Sequence, residues 1–223
     1  VGVIRLSYVS FRHASYVFNG NMSFEGSQSD SLRITHSYFR HIGQDIFRSS
    51  IYANNGATMV IKNNTFADFS NYFMRENINL YDDGTLLEID ANEFVDPHGS
   101  LIDNGLRVQN IGPKILFTNN QSTSNSRLRF YAYGENATED QVIIENNQLT
   151  GSYMRLYGSG ATQGRFLVKG NTFDGTYLQV YYADRALIQD NTIKNVNQEY
   201  ALYLQYTNAV VERDTIIDNA RDG

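Results

Sequence analysis

One short pattern, apolar-x-apolar-x-x-Asn-x-apolar, recurs along the whole chain of 223 residues. Its clearest copies are Met59–Phe66, Phe166–Phe173 and Ala186–Ile193. The alternating apolar positions are typical of a β-strand with one buried face. A strand-and-bend unit that returns at a regular spacing indicates a solenoid, in which every copy forms one level of a continuous core.

The copies are regularly spaced. The last residue of each copy serves as an anchor, and successive anchors are separated by 28, 27, 28, 28, 27, 24, 20 and 23 residues. We therefore predict about nine stacked coils. The anchors are Phe11, Phe39, Phe66, Phe94, Ser122, Leu149, Phe173, Ile193 and Ile216.

Asparagine is concentrated two residues before the anchors, where six of the nine copies carry it. We predict that this Asn takes the tight bend after the strand, because Asn tolerates left-handed backbone and its amide bonds locally. Stacked Asn side chains can then form a hydrogen-bonded ladder along the solenoid. The nine positions are Val9, Ser37, Asn64, Asn92, Asn120, Asn147, Asn171, Asn191 and Asp214.

Each coil has a second alternating strand after the bend, as in Arg127–Tyr131, Tyr153–Tyr157 and Tyr177–Tyr181. No segment sustains the spacing of three and four that an amphipathic helix needs. The predicted fold is therefore an all-β, single-stranded parallel β-helix with very little helix. Residues 1–223 are expected to form one domain, as part of a longer chain.

The two ends of such a solenoid expose unpaired strand edges and apolar core. Neither terminus of this sequence offers an amphipathic helix or a polar segment that would cover them. We predict that a neighbouring domain or subunit caps the ends.

Composition limits the other partners. The net charge of −6 argues against a general nucleic-acid binder, which normally has a basic surface. The apolar runs are only a few residues long, so no membrane span is predicted. Cysteine is absent, so stability must come from packing and hydrogen bonds.

Three of the repeats, at residues 63–66, 170–173 and 190–193, resemble the single-stranded right-handed β-helix of the pectate-lyase-like superfamily. The likeness spans the whole chain. Phe73-Met74-Arg75-Glu76 is also similar to segments in β-helical domains of chondroitinase-B and alginate-lyase type enzymes, which process acidic polysaccharides. The resemblance implies a secreted or cell-surface protein that engages polysaccharide.

Alignment of the second strands sorts their outward residues into three columns. An arginine between tyrosine rings suits an acidic sugar chain, because Arg pairs with carboxylates and rings stack on apolar sugar faces. The first column is Arg48, Arg75, Asp103, Arg129, Arg155, Gln179, Tyr203; the second is Tyr131, Tyr157, Tyr181, Gln205; the third is Arg127, Tyr153, Tyr177.

The candidate ligand-binding residues come from the last four coils of these columns. We call them the Tyr/Arg strip. They are Arg127, Arg129, Tyr131, Tyr153, Arg155, Tyr157, Tyr177, Gln179, Tyr181 and Tyr203.

Three functional hypotheses stay open. The first is a non-catalytic domain that binds acidic polysaccharide. The second is a polysaccharide lyase or glycoside hydrolase, although no Glu-x-x-x-x-Lys run matches the Lys and Arg beside acidic calcium ligands that the resembling lyases use. The third is a structural rod or adhesin, since Tyr and Arg also stabilise strand surfaces and are common in protein interfaces.

No metal site or other cofactor is predicted. Tyr81-Asp82-Asp83-Gly84-Thr85 could form part of a calcium loop, but Asp-Asp-Gly is foremost a turn, and the turn interpretation is preferred. The four histidines are scattered over three or four coils with no carboxylate or hydroxyl partner at a spacing that predicts a catalytic or metal site, and are interpreted as surface or bend residues. They are His13, His36, His41 and His98.

Overall fold

The computed structural model describes residues 3–25, 31–102, 105–109, 112–124, 127–133, 137–151, 153–158 and 164–219. Within these ranges the chain forms strands joined by turns and bends, and no helix. Neighbouring strands in each sheet are parallel and come from successive coils, as in Val3–Ser7 against Ser31–Thr35. The predicted all-β parallel solenoid is confirmed.

The strands stack into four sheets that run along the rod, and the two longest have nine strands each in the described chain. Sheet 1 consists of Val3–Ser7, Ser31–Thr35, Thr58–Lys62, Leu86–Asp90, Lys114–Thr118, Val142–Glu145, Gly164–Lys169, Ala183–Gln189 and Ala209–Glu212. Sheet 2 consists of Ser10–Arg12, Tyr38–Ile42, Thr65–Phe69, Glu93–Val95, Gln121–Ser122, Gln148–Thr150, Thr172–Asp174, Thr192–Lys194 and Thr215–Ile217.

Two further sheets complete the coils. Sheet 3 has four short strands in the N-terminal half: Phe18–Asn19, Phe47–Arg48, Tyr72–Met74 and Ser100–Ile102. Sheet 4 has eight strands: Met22–Glu25, Ile51–Asn54, Ile78–Leu80, Leu106–Gln109, Arg127–Tyr133, Tyr153–Gly158, Tyr177–Tyr181 and Leu202–Gln205.

The register of sheet 2 confirms the predicted anchors. Phe11 pairs with Phe39, Phe39 with Phe66, and the pairing continues to Ile216. Nine strands mark nine levels, of which the seven inner ones have a neighbour on both sides. The structure therefore has about seven complete turns, slightly fewer than the nine coils that we predicted.

The core is a continuous stack of apolar side chains inside the coils. Phe39, Phe66 and Phe94 lie one above the other, with ring centroids 4.9 and 5.4 Å apart. Phe73 packs edge-on against Phe94 at 4.9 Å. Each of these side chains is fully buried. Phe39, Phe66 and Phe94 occupy equivalent positions, so the distance between their rings follows the coil spacing of roughly 4.8 Å.

A ladder of buried asparagines follows one corner of the solenoid, as predicted. The amide oxygen of Asn120 accepts hydrogen bonds from the backbone N and Nδ2 of Asn92, both at 3.1 Å. Its own Nδ2 donates to Asn147 Oδ1 at 3.1 Å and to the Ile89 carbonyl at 2.9 Å. The same pattern joins Asn64, Asn92, Asn120, Asn147, Asn171 and Asn191.

The ladder asparagines do not have the left-handed backbone that we predicted for them. The residue immediately before takes it instead, for example Asn63 (φ 55°), Asn119 (φ 54°) and Asp190 (φ 58°). The left-handed residue turns the chain, which leaves the next side chain free to point inward and join the ladder. The prediction identified the bend and the ladder correctly but misplaced the left-handed residue by one position.

We expect Asn120→Ala to lower the free energy of unfolding by about 3 kcal/mol, because it leaves several buried polar partners unsatisfied. Denaturant unfolding followed by circular dichroism measures this. Gln121→Ala changes the exposed neighbour and is the control, with an expected loss below about 0.5 kcal/mol. Equal losses in the two variants would contradict a stabilising role for the ladder.

The ladder ends on a carboxylate. Asp214 Oδ1 accepts from Asn191 N at 2.7 Å and from Asn191 Nδ2 at 2.8 Å. Asp214 Oδ2 is buried without a hydrogen-bond partner. It occupies the position from which a ladder amide would donate to the preceding coil, as Asn191 Nδ2 does to the Val168 carbonyl at 3.0 Å.

We therefore expect Asp214→Asn to raise the free energy of unfolding by about 1 kcal/mol, through a new hydrogen bond to the Ile188 carbonyl. Thermal and urea unfolding test the change. Asp218→Asn removes the same charge from an exposed position of the same coil and should leave stability unchanged. A stabilisation shared by both variants would point to net charge as the cause.

Candidate functional site

The candidate site lies on the outer face of sheet 4, over four adjacent strands of the C-terminal half. Strand 127–133 alternates strictly: Leu128, Phe130 and Ala132 are fully buried, while Arg129 and Tyr131 point outward. Strands 153–158 and 177–181 alternate in the same way. A side chain on this face therefore has its equivalent in the next coil directly beside it.

The register brings together all ten predicted residues of the Tyr/Arg strip. Arg129 pairs with Arg155, Arg155 with Gln179, and Gln179 with Tyr203. Tyr131, Tyr157 and Tyr181 form the second column, and Arg127, Tyr153 and Tyr177 form the third. The columns predicted for these four coils are confirmed as neighbours in space.

The predicted extension of the first column into earlier coils is wrong. Arg48 and Arg75 belong to or adjoin the strands of sheet 3, and Asp103 lies outside the described residues. The longer N-terminal coils contain an additional short strand, which shifted the sequence alignment. By the register of sheet 4, the residue one coil before Arg129 is Gly105. A β-carbon at Gly105 would lie 2.3 Å from the Tyr131 ring, so this position has no room for a side chain.

Arg107, which was not among the predicted residues, extends the second column by one coil. Arg107 pairs with Tyr131, and its guanidinium carbon lies 5.0 Å from the centroid of the Tyr131 ring. The available signal was the alternation Leu106-Arg107-Val108, which matches Phe130-Tyr131-Ala132 once the two strands are placed in register.

The tyrosines of the second column stack on one another. The rings of Tyr131 and Tyr157 are 4.9 Å apart with 14° between their planes, and those of Tyr157 and Tyr181 are 5.0 Å apart with 9°. Each ring face is thus largely covered by the next ring. The column presents ring edges and hydroxyl groups to solvent, so the predicted stacking of sugars on these ring faces is wrong for this column.

The arginines are packed against the third column. The guanidinium carbons of Arg155 and Arg129 lie 4.3 and 5.6 Å from the Tyr153 ring centroid. Arg129 Nη2 donates to the Tyr153 hydroxyl at 2.8 Å, and Arg155 Nε donates to Gln179 Oε1 at 2.7 Å. These contacts hold both guanidinium groups in place before any ligand arrives.

The strip is positively charged although the chain is acidic. Among the described residues, no carboxylate lies within 4.0 Å of the guanidinium groups of Arg107, Arg129 or Arg155. Burial raises the pKa of the Tyr131 and Tyr181 hydroxyls, and the neighbouring Tyr157 raises both further. The phenols therefore stay protonated at neutral pH and remain hydrogen-bond donors.

A cavity of about 330 Å³ lies at the C-terminal end of the strip. Sheet 4 contributes one wall, and the connection before strand 202–205 contributes the other. Only the sheet-4 residues of this cavity belong to the predicted strip, because the connection carries no strand pattern that would predict its position. The lining residues are Tyr177, Gln179, Tyr181, Gln198, Glu199, Tyr200 and Tyr203.

The histidines were interpreted as having no carboxylate partner, and for two of them the structure corrects this. Asp68 Oδ2 lies 3.1 Å from His41 Nδ1, and Asp68 Oδ1 lies 3.6 Å from His98 Nε2. The three residues meet because coil stacking joins positions about 27 to 30 residues apart. His13, His36 and His41 have left-handed backbone, which agrees with their interpretation as bend residues.

The remaining candidates for chemistry are dispersed. Arg75 forms an ion pair with the buried Asp45 at 3.6 Å, on the sheet-3 side of the rod. Asp82 and Gly84 form a turn with positive φ, as their sequence indicates. No cluster of three or more His, Cys, Asp or Glu suited to a metal ion is present in the part of the chain that the structure describes.

The same described ranges contain no helix long and apolar enough to cross a membrane.

Stacked parallel coils with an internal asparagine ladder define a β-helix protein. A family model described as "Right handed beta helix region" matches residues 104–223, so the chain belongs to the right-handed β-helix family. The predicted resemblance to right-handed β-helices is confirmed. No curated protein and no solved structure matches the chain.

Proposed function

We propose that the Tyr/Arg strip binds an extended acidic polysaccharide without cleaving it, and that the protein acts at the cell surface or after secretion. The observation that carries this proposal is the row of guanidinium and phenol groups around Arg107, Arg129 and Arg155, three arginines with no carboxylate within 4.0 Å among the described residues. Such a row is suited to carboxylate or sulfate groups. The family alone does not imply a function, since one fold supports many sites.

The repeat of the donors fits a polymer better than a small ligand. Equivalent tyrosines recur at 4.9 and 5.0 Å along the rod. A linear glycan that lies along the column meets a new hydroxyl or guanidinium group at every coil. Contacts through ring edges, hydroxyls and N–H groups then take the place of stacking on ring faces.

A binding role agrees with the composition of the strip. Lyase chemistry requires a base that removes a proton next to a uronate carboxylate. No Asp, Glu, His or Lys belongs to the three columns between Arg127 and Gln205 in the described residues. The raised pKa of Tyr131 and Tyr181 makes their hydroxyls poor bases at neutral pH. The lyase or hydrolase hypothesis remains the alternative.

We expect oligo-uronates or sulfated oligosaccharides to bind, and Arg129→Ala/Arg155→Ala to weaken this binding roughly tenfold or more, since each arginine offers charge-assisted hydrogen bonds. Calorimetric titration against neutral oligosaccharides of equal length measures the preference. Added salt should weaken the binding of acidic oligosaccharides to the wild type, because it screens the charges.

Arg33→Ala/Arg185→Ala is the matched control, because it removes the same charge from exposed positions on sheet 1. It should bind like the wild type. Acidic glycans that bind the strip variant and the wild type equally would refute the proposal. Unsaturated uronide absorbance or new reducing ends during incubation would favour the enzyme alternative.

A second candidate function is a structural rod whose ends contact another domain or subunit. The observation that favours it is the apolar last coil, where Val210, Val211, Ile216 and Ile217 are 51%, 42%, 46% and 44% exposed. The strands that carry them lie at the edges of sheets 1 and 2. Exposed apolar strands at a sheet edge are suited to pairing with another chain.

We expect the purified chain to self-associate with rising concentration, and Val210→Lys/Ile216→Lys to suppress this by placing charge on the edge. Sedimentation velocity measures the change. Leu116→Lys/Ile143→Lys alters outward positions in the middle of sheet 1 and should associate like the wild type. A monomer at every concentration would count against end-to-end assembly of this chain.

A further inference from the structure

The cavity at the C-terminal end of the strip differs in shape from the rest of the surface. It is a concave site of about 330 Å³ rather than a flat sheet face, and this volume is at the lower end of the range for ligand pockets. Tyr181 and Tyr203 line its sheet side, and the exposed residues Gln198, Glu199 and Tyr200 form its outer wall. It is large enough for a small, compact ligand.

The ring geometry changes at this cavity. The planes of Tyr181 and Tyr203 are inclined by 51°, and those of Tyr200 and Tyr203 by 45°. In the column the corresponding angles are 14° and 9°. The reason is the register: Tyr203 follows Gln179 in the arginine column, so it cannot continue the stack of Tyr131, Tyr157 and Tyr181. Ring faces that cover each other in the column diverge here.

The charge also changes. The cavity is lined by four tyrosines, two glutamines and Glu199, with no arginine or lysine in its described lining. Glu199 Oε1 accepts a hydrogen bond from the Tyr200 hydroxyl at 2.8 Å. The hydrogen bond to Glu199 raises the pKa of this hydroxyl, which therefore keeps its proton at neutral pH. An acidic group would meet the Glu199 carboxylate here, while the nearby Arg155 is engaged with Gln179 and Tyr177 behind the lining.

We propose that this cavity binds a neutral pyranose residue. The inclined faces of Tyr181, Tyr200 and Tyr203 suit the apolar face of a sugar ring, and the Gln and Glu side chains supply acceptors and donors for its hydroxyls. A neutral hydroxylated ring satisfies these groups without bringing a second negative charge to Glu199.

The position of the cavity makes the site directional, a step that rests on the proposed function. Gln179 lines the cavity and accepts from Arg155 Nε at 2.7 Å, so the two regions are one coil apart. One coil is roughly 4.8 Å, close to the length of a sugar residue in an extended chain. A glycan bound along the rod thus places its acidic groups at Arg129 and Arg155 and a neutral residue at Tyr203.

The test uses three sets of oligosaccharides of equal length: neutral, wholly acidic, and acidic with one neutral terminal residue. Calorimetric titration should give weak binding of the neutral set and the tightest binding of the mixed set. Tyr203→Ala should weaken binding of both of these sets roughly tenfold or more, a larger loss than for the wholly acidic set. Glu199→Gln, an exposed change that does not endanger folding, should weaken neutral binding several-fold and lessen the discrimination against acidic groups.

Tyr206→Ala is the matched control, since Tyr206 is 70% exposed in the same coil and stacks on Tyr182 outside the cavity lining. It should bind all three sets like the wild type. Neutral oligosaccharides that do not bind, or that bind Tyr203→Ala and Glu199→Gln like the wild type, would overturn the inference.

The outcomes also separate this inference from the proposed function. If acidic glycans bind through Arg129 and Arg155 but neutral ones do not, only the inference fails. If neutral glycans bind through Tyr203 while acidic ones do not, the acidic strip fails and the neutral-sugar pocket stands.

Discussion

Parallel, in-register stacking of backbone strands is the interaction on which the rest of this structure depends. Each strand satisfies its peptide groups with the coils above and below, at a spacing of roughly 4.8 Å. Side chains at equivalent positions must therefore lie directly over one another. The core phenylalanines stack for this reason, and the ladder asparagines of Asn64 to Asn191 meet for the same reason. The ladder satisfies buried polar groups at a corner where the strands themselves cannot.

The same constraint shapes the outer surface. Tyr131, Tyr157 and Tyr181 stack because their strands are in register, and in doing so they cover the ring faces that a sugar would use. Arg129 and Arg155 are paired in neighbouring coils, so their positive charges repel each other. Both pack against the Tyr153 ring, which compensates part of their charge through its π-electrons. A ligand with negative groups at the coil spacing would relieve the remaining repulsion, and this gives the proposed function a physical basis.

Most of the fold was predictable because one residue type recurs at one structural position. All nine anchors from Phe11 to Ile216 pair as the spacing predicts, and so do the columns of the last four coils. The errors lie where coils differ from one another. Sheet 3 occurs only in the longer coils and displaced Arg48 and Arg75 from the predicted column. The left-handed residue lies beside the ladder Asn rather than at it, since a bend is two residues wide and the pattern alone does not distinguish them.

The sequence by itself determined the solenoid, its registers and its ladder, because period-two alternation and a repeated Asn are local patterns that each coil carries. Only the tertiary structure decided how the surface side chains are oriented. Tyr181 stacks on Tyr157 but is inclined to Tyr203, and this difference depends on the residue that each neighbouring coil supplies. The cavity beside Glu199 depends on the path of a connection without a repeat. Contacts such as Asp68 with His41 and His98 follow from coil stacking across long sequence separations, which no local pattern contains.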